Sequence, residues 1–69
     1  GGSDPTRQAK FDEVMATLRS LSEEEQEIFS LRYLADVPYR DIGRITGKSE
    51  GALRVIIHRV LAKLREKLQ

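Results

Sequence analysis

The sequence predicts an all-α domain of four helices, of which the last two form a helix-turn-helix. Apolar residues recur every three or four positions along most of the chain, which is the spacing of one helix face. Serine, proline and glycine residues interrupt this pattern where helices are expected to start and stop. A chain of 69 residues buries only about 60% of its unfolded surface, so we expect a single small core.

The composition excludes several classes of protein. The chain has no cysteine and one histidine, His58, which rules out disulfides, thiolate ligands and a zinc site formed by histidine alone. Its apolar runs are short, as at 55–57 and 60–62, whereas a membrane span needs about 20 residues. Short helices also leave no walls for a catalytic pocket. We therefore expect no enzymatic activity, no cofactor, no metal, no small-molecule substrate and no membrane contact.

The first residues are expected to be unrelated to the fold. The chain begins with Gly-Gly-Ser and has no initiating Met. We interpret residues 1–3 as a cloning scar. Residues 4–69 are then expected to form one domain of a longer parent protein.

Charge is distributed unevenly along the chain. Residues 1–36 carry four basic and eight acidic side chains, whereas residues 37–69 carry eight basic and three acidic ones. A basic half can attract a polyanion while the acidic half faces away from it or meets something basic. The C-terminal half is therefore predicted to be the binding surface.

The first helix is predicted over Pro5–Arg19. Asp4 can cap its N-terminus, and Pro5 suits the first helical position because an N–H there would have no partner. One apolar stripe follows at helical spacing. It consists of Phe11, Val14, Met15, Leu18 and Leu21.

The second helix is predicted to begin at Glu23 and to continue to Ala35. Ser22 and Glu25 have the spacing of a capping box. Successive glutamates at its start suit the positive end of the helix dipole. Because its apolar residues occupy most of the helix circumference, we expect this to be the central helix, with other helices packed on more than one side.

Further start and stop signals define the third and fourth helices. Pro38 ends the second helix, and the third is predicted over Tyr39–Thr46, ended by Gly47 in the left-handed conformation. Ser49 caps the fourth helix, predicted over Glu50–Lys67. The predicted core consists of Phe11, Val14, Leu18, Ile28, Leu31, Leu34, Ile42, Ile45, Leu53, Ile57, Val60 and Leu61.

Three residues indicate that the third and fourth helices form a helix-turn-helix. Gly43 allows the two helices to approach, Gly47 turns the chain at positive φ, and Leu53 fills the crossing. The steric requirements of the motif thus explain the residue type at each of these positions. Together they make the motif more specific than any one of them alone.

The outer face of the fourth helix is predicted to enter the major groove of double-stranded DNA. If Leu53, Ile56, Ile57 and Val60 face the core, a mostly polar set of side chains faces solvent at helical spacing. Side chains of these types can read base edges in the major groove. We expect base contacts from Arg54, Val55, His58 and Arg59, and from Ser49 and Glu50 at the N-terminal tip.

A second set of residues is expected to meet the DNA backbone. Lys48 in the turn and Arg44 on the third helix approach from the side, where phosphate oxygens lie. Tyr39 and Arg40 stand at the start of the third helix, whose free amides suit a phosphate.

Four segments of the chain carry a family resemblance. They are LSEEEQEIFSLRYL at 21–34, PYRDIG at 38–43, GKSEGAL at 47–53 and the pair His58-Arg59. These segments resemble region 4 of a bacterial RNA polymerase sigma factor and are most similar to the extracytoplasmic-function class. The resemblance covers nearly the whole chain from Asp4 onward.

The resemblance implies a fold, a function and partners. A domain of this family is expected to be all-α and winged-helix-like, to bind the −35 promoter element through the fourth helix, and to act in transcription initiation in the bacterial cytoplasm. It is expected to dock on the flap of the polymerase β subunit through a surface near the helix-turn-helix, and an anti-sigma protein is a further candidate partner. The positions that face DNA in the family correspond here to Arg54, Val55, His58 and Arg59.

The chain departs from the family pattern at three positions. Ile56 stands where relatives often have Arg, and Val55 where they often have Ser, so one phosphate contact and some base polarity are expected to be missing. Gly43 stands where Ala is usual, which is expected to loosen the third helix slightly without changing its geometry.

Two other classes of protein remain open from the sequence. One is the effector domain of a two-component or quorum-type regulator, which shares the Ser-Glu-Gly turn but usually lacks a separate first helix. The other is an interaction module whose fourth helix binds a protein such as an anti-sigma factor. At the residue level, Glu50 is equally well explained by its favourable position at a helix N-terminus.

Overall fold

The computed structural model describes residues 5–68, which form four α-helices and one π-helical segment. No β-strand, and therefore no wing, occurs in these residues. Asp4 and the expected cloning scar at 1–3 lie outside the described residues. The helices are α1 (Pro5–Ser20), α2 (Glu23–Phe29), α3 (Tyr39–Thr46) and α4 (Glu50–Leu68), and the π-helical segment is Ser30–Leu34.

The predicted caps at Ser22, Gly47 and Ser49 are confirmed. The Ser22 hydroxyl accepts a hydrogen bond from the Glu25 amide at 3.1 Å, and the Glu25 carboxylate accepts one from the Ser22 amide at 3.1 Å. Ser49 caps α4 by accepting from the Ala52 amide at 3.1 Å. Gly47 ends α3 with a φ of 77°, in the left-handed region. These local signals determine where α3 ends and where α2 and α4 begin.

The second helix differs from its prediction. The expected α-helix to Ala35 ends at Phe29 and widens into the π-helical segment. The Ala35 amide donates to the Ser30 carbonyl at 3.0 Å, and the Val37 amide donates to the Leu31 carbonyl at 2.8 Å. These wider bonds satisfy carbonyls that the approach to a proline would otherwise leave unpaired.

The wide turn ends at a residue with unusual backbone geometry. Asp36 has a φ of 56°, the only positive φ of a non-glycine residue in 5–68. Aspartate tolerates this left-handed conformation better than most residues. Its carboxylate lies 3.6 Å from the Arg32 guanidinium, which also donates to the Val37 carbonyl at 3.4 Å. Arg32 thereby braces the chain between the π-helical segment and α3.

The core consists of two neighbouring clusters aligned along α4. The first joins α2, α3 and α4 through Ile28, Ile42, Leu53 and Ile57. The second joins Leu21, in the connection between α1 and α2, to the second half of α4. Val14 and Leu18 of α1 pack against it, so α1 is held by its second half. The buried members of the second cluster are Leu21, Val60 and Leu64.

The predicted core was wrong at three positions. Phe11 is 58% exposed because residues 6–13 of α1 extend beyond the part that packs on α4. Leu34 is 80% exposed because the π-helical turn directs it away from the core. Ile45 is 60% exposed because α3 buries only Ile42 before the chain turns. The predicted list also omitted Leu21 and Leu64, which are buried.

The close approach at Gly43 is made by the turn rather than by α4. A Cβ atom on Gly43 would lie 2.9 Å from the Lys48 carbonyl oxygen and 3.9 Å from the Leu53 Cδ1 atom. The first distance is shorter than van der Waals contact, and the atom it meets belongs to the backbone. A Cβ atom at position 43 would therefore require the backbone at Lys48 to move.

Truncation of Leu53 tests the packing of α3 on α4. This side chain is fully buried, so Leu53→Ala should lower the free energy of unfolding by about 2–5 kcal/mol through lost burial and a residual cavity. Ile45→Ala removes an exposed aliphatic side chain of the same helix pair and should change it by less than about 0.5 kcal/mol. Urea unfolding followed by circular dichroism measures both, and equal effects would contradict this packing.

Alanine substitutions at Gly51 and at Gly43 distinguish the effect of helix propensity on stability from the effect of a steric clash. Alanine is favoured over glycine inside a helix by up to about 1 kcal/mol. Gly51, in the first turn of α4, has open space around its Cβ position, so Gly51→Ala should stabilise the domain. Gly43→Ala should instead destabilise it, because the turn backbone must move. An increase in the urea midpoint for both variants would show that the turn has room at Gly43.

Candidate nucleic-acid interface

The helix-turn-helix leaves one side of α4 uncovered. Leu53, Ile57, Val60 and Leu64 are buried and recur every three or four residues along α4. Residues between them point to the opposite side, since successive helix positions are about 100° apart. The exposed residues on this side are Arg54, Val55, His58 and Arg59, and the helix tip presents Ser49, Glu50 and Gly51.

All ten residues predicted to contact DNA are at least partly accessible. Lys48 and Tyr39 are half-buried, and the other eight are exposed. Ile56, where relatives often have Arg, is half-buried and packs against the first core cluster. It therefore contributes to packing rather than to the exposed face.

Some of the predicted residues lie together at the start of α3. Tyr39, Arg40, Glu50 and Arg54 line one open cavity. The Arg54 guanidinium lies over the Tyr39 ring, 5.1 Å from its centre. This cation–π contact joins the exposed side of α4 to the N-terminus of α3.

Arg32 belongs to the same cavity and was missed by the sequence reasoning. Its guanidinium lies 5.0 Å from the centre of the Tyr39 ring. The sequence pattern predicted an ordinary helix through Arg32, whereas this residue lies in the π-helical segment. Its contact with Tyr39 depends on how that segment is placed beside α3. No signal in helical spacing could have found it. The cavity thus has three arginines around one tyrosine.

Lys48 is engaged within the protein. Its ammonium forms a salt bridge with the Glu24 carboxylate of α2. Lys63 of α4 forms a second one with Glu25, at 3.4 Å. The Ser22 amide, which donates to the Glu25 carboxylate, lowers the pKa of Glu25 below its usual value, and Lys63 lowers it further. The acidic start of α2 is therefore tied to the turn and to α4.

The arginines are less constrained by acidic partners than the two lysines. Arg44 lies 4.0 Å from Asp41 on its own helix and is 76% exposed, so this pair contributes little. Arg40 and Arg59 form no ion pair within residues 5–68. Their guanidinium groups are available to an anionic ligand such as DNA.

A second accessible feature is an apolar groove between α1 and the end of α2. We define the apolar groove by Leu18, Phe29 and Leu34, with the polar residues Arg19, Gln26 and Ser30 beside them. Leu34 is its most exposed apolar member. The Tyr33 ring lies next to it, with its centre 5.0 Å from that of Phe29. The sequence reasoning missed this groove because it assigned Leu34 to the core.

The described part of the chain has no features of two other kinds of site. No helix in residues 5–68 combines the length and the hydropathy needed to cross a membrane. Nor do these residues include a group of three histidine or acidic side chains able to hold a metal ion.

Fold and interface together define a DNA-binding domain of the helix-turn-helix class. The family Sigma-70, region 4, matches residues 11–64. The chain belongs to this family, so it is a promoter-binding domain of a sigma factor, which acts in transcription initiation. No curated protein and no solved structure matches the chain.

Proposed function

We propose that this domain recognises the −35 promoter element by placing the N-terminal half of α4 in the major groove. The observation that carries this proposal is the uncovered side of α4 with Arg54, Val55, His58 and Arg59 exposed on it. Arginine forks match guanine edges, and Val55 offers an apolar contact to a thymine methyl group. The tip residues Ser49 and Glu50 are proposed to reach neighbouring bases.

The start of α3 is proposed to hold the adjacent DNA backbone. Tyr39 and Arg40 stand where free helix amides suit a phosphate, and Arg32 adds a guanidinium group to the same cavity. Arg44 and Lys48 are proposed to meet phosphates on the other side of the turn. Such contacts fix the register of α4 on the duplex without reading its sequence.

We assign the domain to the extracytoplasmic-function class of sigma factors, on the motifs at 21–34, 38–43 and 47–53. This role belongs in the bacterial cytoplasm, where promoters are transcribed. The effector domain of a two-component or quorum-type regulator is not favoured, because the family match covers residues 11–64 and thus includes most of α1.

The apolar groove is proposed to dock the flap of the polymerase β subunit. Leu34 is largely exposed on its rim, and an exposed apolar groove beside polar residues is typical of a protein interaction site. It is lined from α1, α2 and the π-helical segment, whereas the proposed base contacts come from α4 and its tip. An anti-sigma protein that covered the same groove would compete with the polymerase.

Arg54→Ala tests sequence recognition. Loss of the Arg54 guanidinium should reduce the preference for guanine over another base at one position by about 1–3 kcal/mol. The affinity for unrelated duplexes should stay nearly unchanged. Arg44→Ala, the control, should weaken binding to all duplexes alike and flatten the salt dependence by about one unit. Fluorescence anisotropy on matched and single-base-changed duplexes measures both. A uniform loss with Arg54→Ala would make Arg54 a phosphate contact and contradict its proposed role.

Leu34→Glu tests the apolar groove. A charge on its rim should weaken binding to core RNA polymerase by about tenfold or more, because docking would bury an unpaired carboxylate. Affinity for DNA should stay within about twofold. Leu68→Glu, at an exposed apolar residue near the end of α4, is the matched control and should bind polymerase normally. Equal losses with both variants would contradict docking at this groove.

A further inference from the structure

The salt bridge between Glu24 and Lys48 joins the start of α2 to the turn before α4. Lys48 immediately precedes Ser49, which caps α4, so the salt bridge holds the residue next to the end of α4 that is proposed to enter the groove. The Lys48 side chain is 35% exposed and that of Glu24 is 52% exposed. The pair is thus within reach of solvent and of an incoming phosphate.

Glu24 has no part in the cap of α2. Ser22 and Glu25 form the capping box between them, and Glu25 also pairs with Lys63. Glu23, at the first helical position, takes part in no ion pair within the described residues. Three successive glutamates thus differ in their partners, and Glu24 is the one whose carboxylate lies against a proposed DNA contact.

We propose that Glu24 sets the DNA affinity of this domain by competing with a backbone phosphate for the Lys48 ammonium. The inference rests on the proposed DNA-binding function. A carboxylate and a phosphate oxygen offer a lysine the same kind of partner, an anionic hydrogen-bond acceptor. Lys48 cannot hold both at full strength, so DNA must displace Glu24 or share the ammonium with it.

The size of the effect follows from the exposure of the pair. Partly exposed ion pairs are worth about 0.2–1 kcal/mol, which corresponds to about 1.5- to fivefold in affinity. Competition also affects the salt dependence. A lysine released from its carboxylate can neutralise one more phosphate, which steepens the dependence of log K on log salt by up to about 0.9 units.

The experiment compares two variants that remove the same charge from neighbouring positions of α2. Anisotropy titrations of a labelled duplex with the 69-residue chain are run between about 50 and 200 mM salt. Glu24→Gln should tighten binding by about 1.5- to fivefold relative to Glu23→Gln and steepen the salt dependence. In a Lys48→Gln background, Glu24→Gln and Glu23→Gln should give equal affinities. Circular dichroism checks that each variant remains helical.

Each result decides the proposal. Equal tightening by both glutamate variants with Lys48 present would show a general charge effect and overturn the competition. Weaker binding with Glu24→Gln would show that Glu24 supports the interface, which also overturns it. A difference that persisted in the Lys48→Gln background would exclude Lys48 as the competed group. If the unaltered chain bound no duplex even at about 50 mM salt, the proposed function itself would fail, and the competition with it.

Discussion

The burial of Leu53 where α3 crosses α4 is the constraint on which the rest of the structure depends. Leu53 contacts the same core cluster as Ile28 of α2 and Ile42 of α3, so one side chain joins three helices. The crossing requires a tight turn, and Gly43 makes room for the Lys48 carbonyl within it. Because this packing determines which side of α4 is buried, it also determines which side is left for DNA.

Local signals predicted much of the fold, whereas non-local pairings escaped the sequence. Caps at Ser22, Ser49 and Gly47 act within a few residues, and the helix ends they mark are confirmed. The π-helical segment was missed because its hydrogen bonds replace an α-helical ladder without changing the apolar pattern. Because an ordinary helix was predicted there, Leu34 was assigned to the core and the apolar groove was not predicted. The contact between Arg32 and Tyr39 was not predicted either.

The predicted interface followed mainly from the apolar stripe of α4. Once the buried positions were placed, the exposed ones followed from helix geometry, and the structure leaves all ten predicted residues at least partly accessible. The geometry of α4 alone does not predict which residues of the other helices lie against it. The contacts of Lys48 with Glu24 and of Arg54 with Tyr39 depend on how α2 and α3 are placed beside α4, and no spacing within the chain encodes them.

The charge asymmetry of the chain has a different meaning in the folded domain. The acidic half was expected to face away from the polyanion or to meet something basic, and Glu24 and Glu25 lie against two lysines of the basic half itself. These lysines are partly neutralised, whereas Arg40 and Arg59 form no ion pair in residues 5–68. Arginine holds its charge at any physiological pH and presents a planar fork suited to guanine edges and phosphates. The charges of Arg40 and Arg59 therefore remain available to DNA, whereas those of Lys48 and Lys63 are partly neutralised by the start of α2.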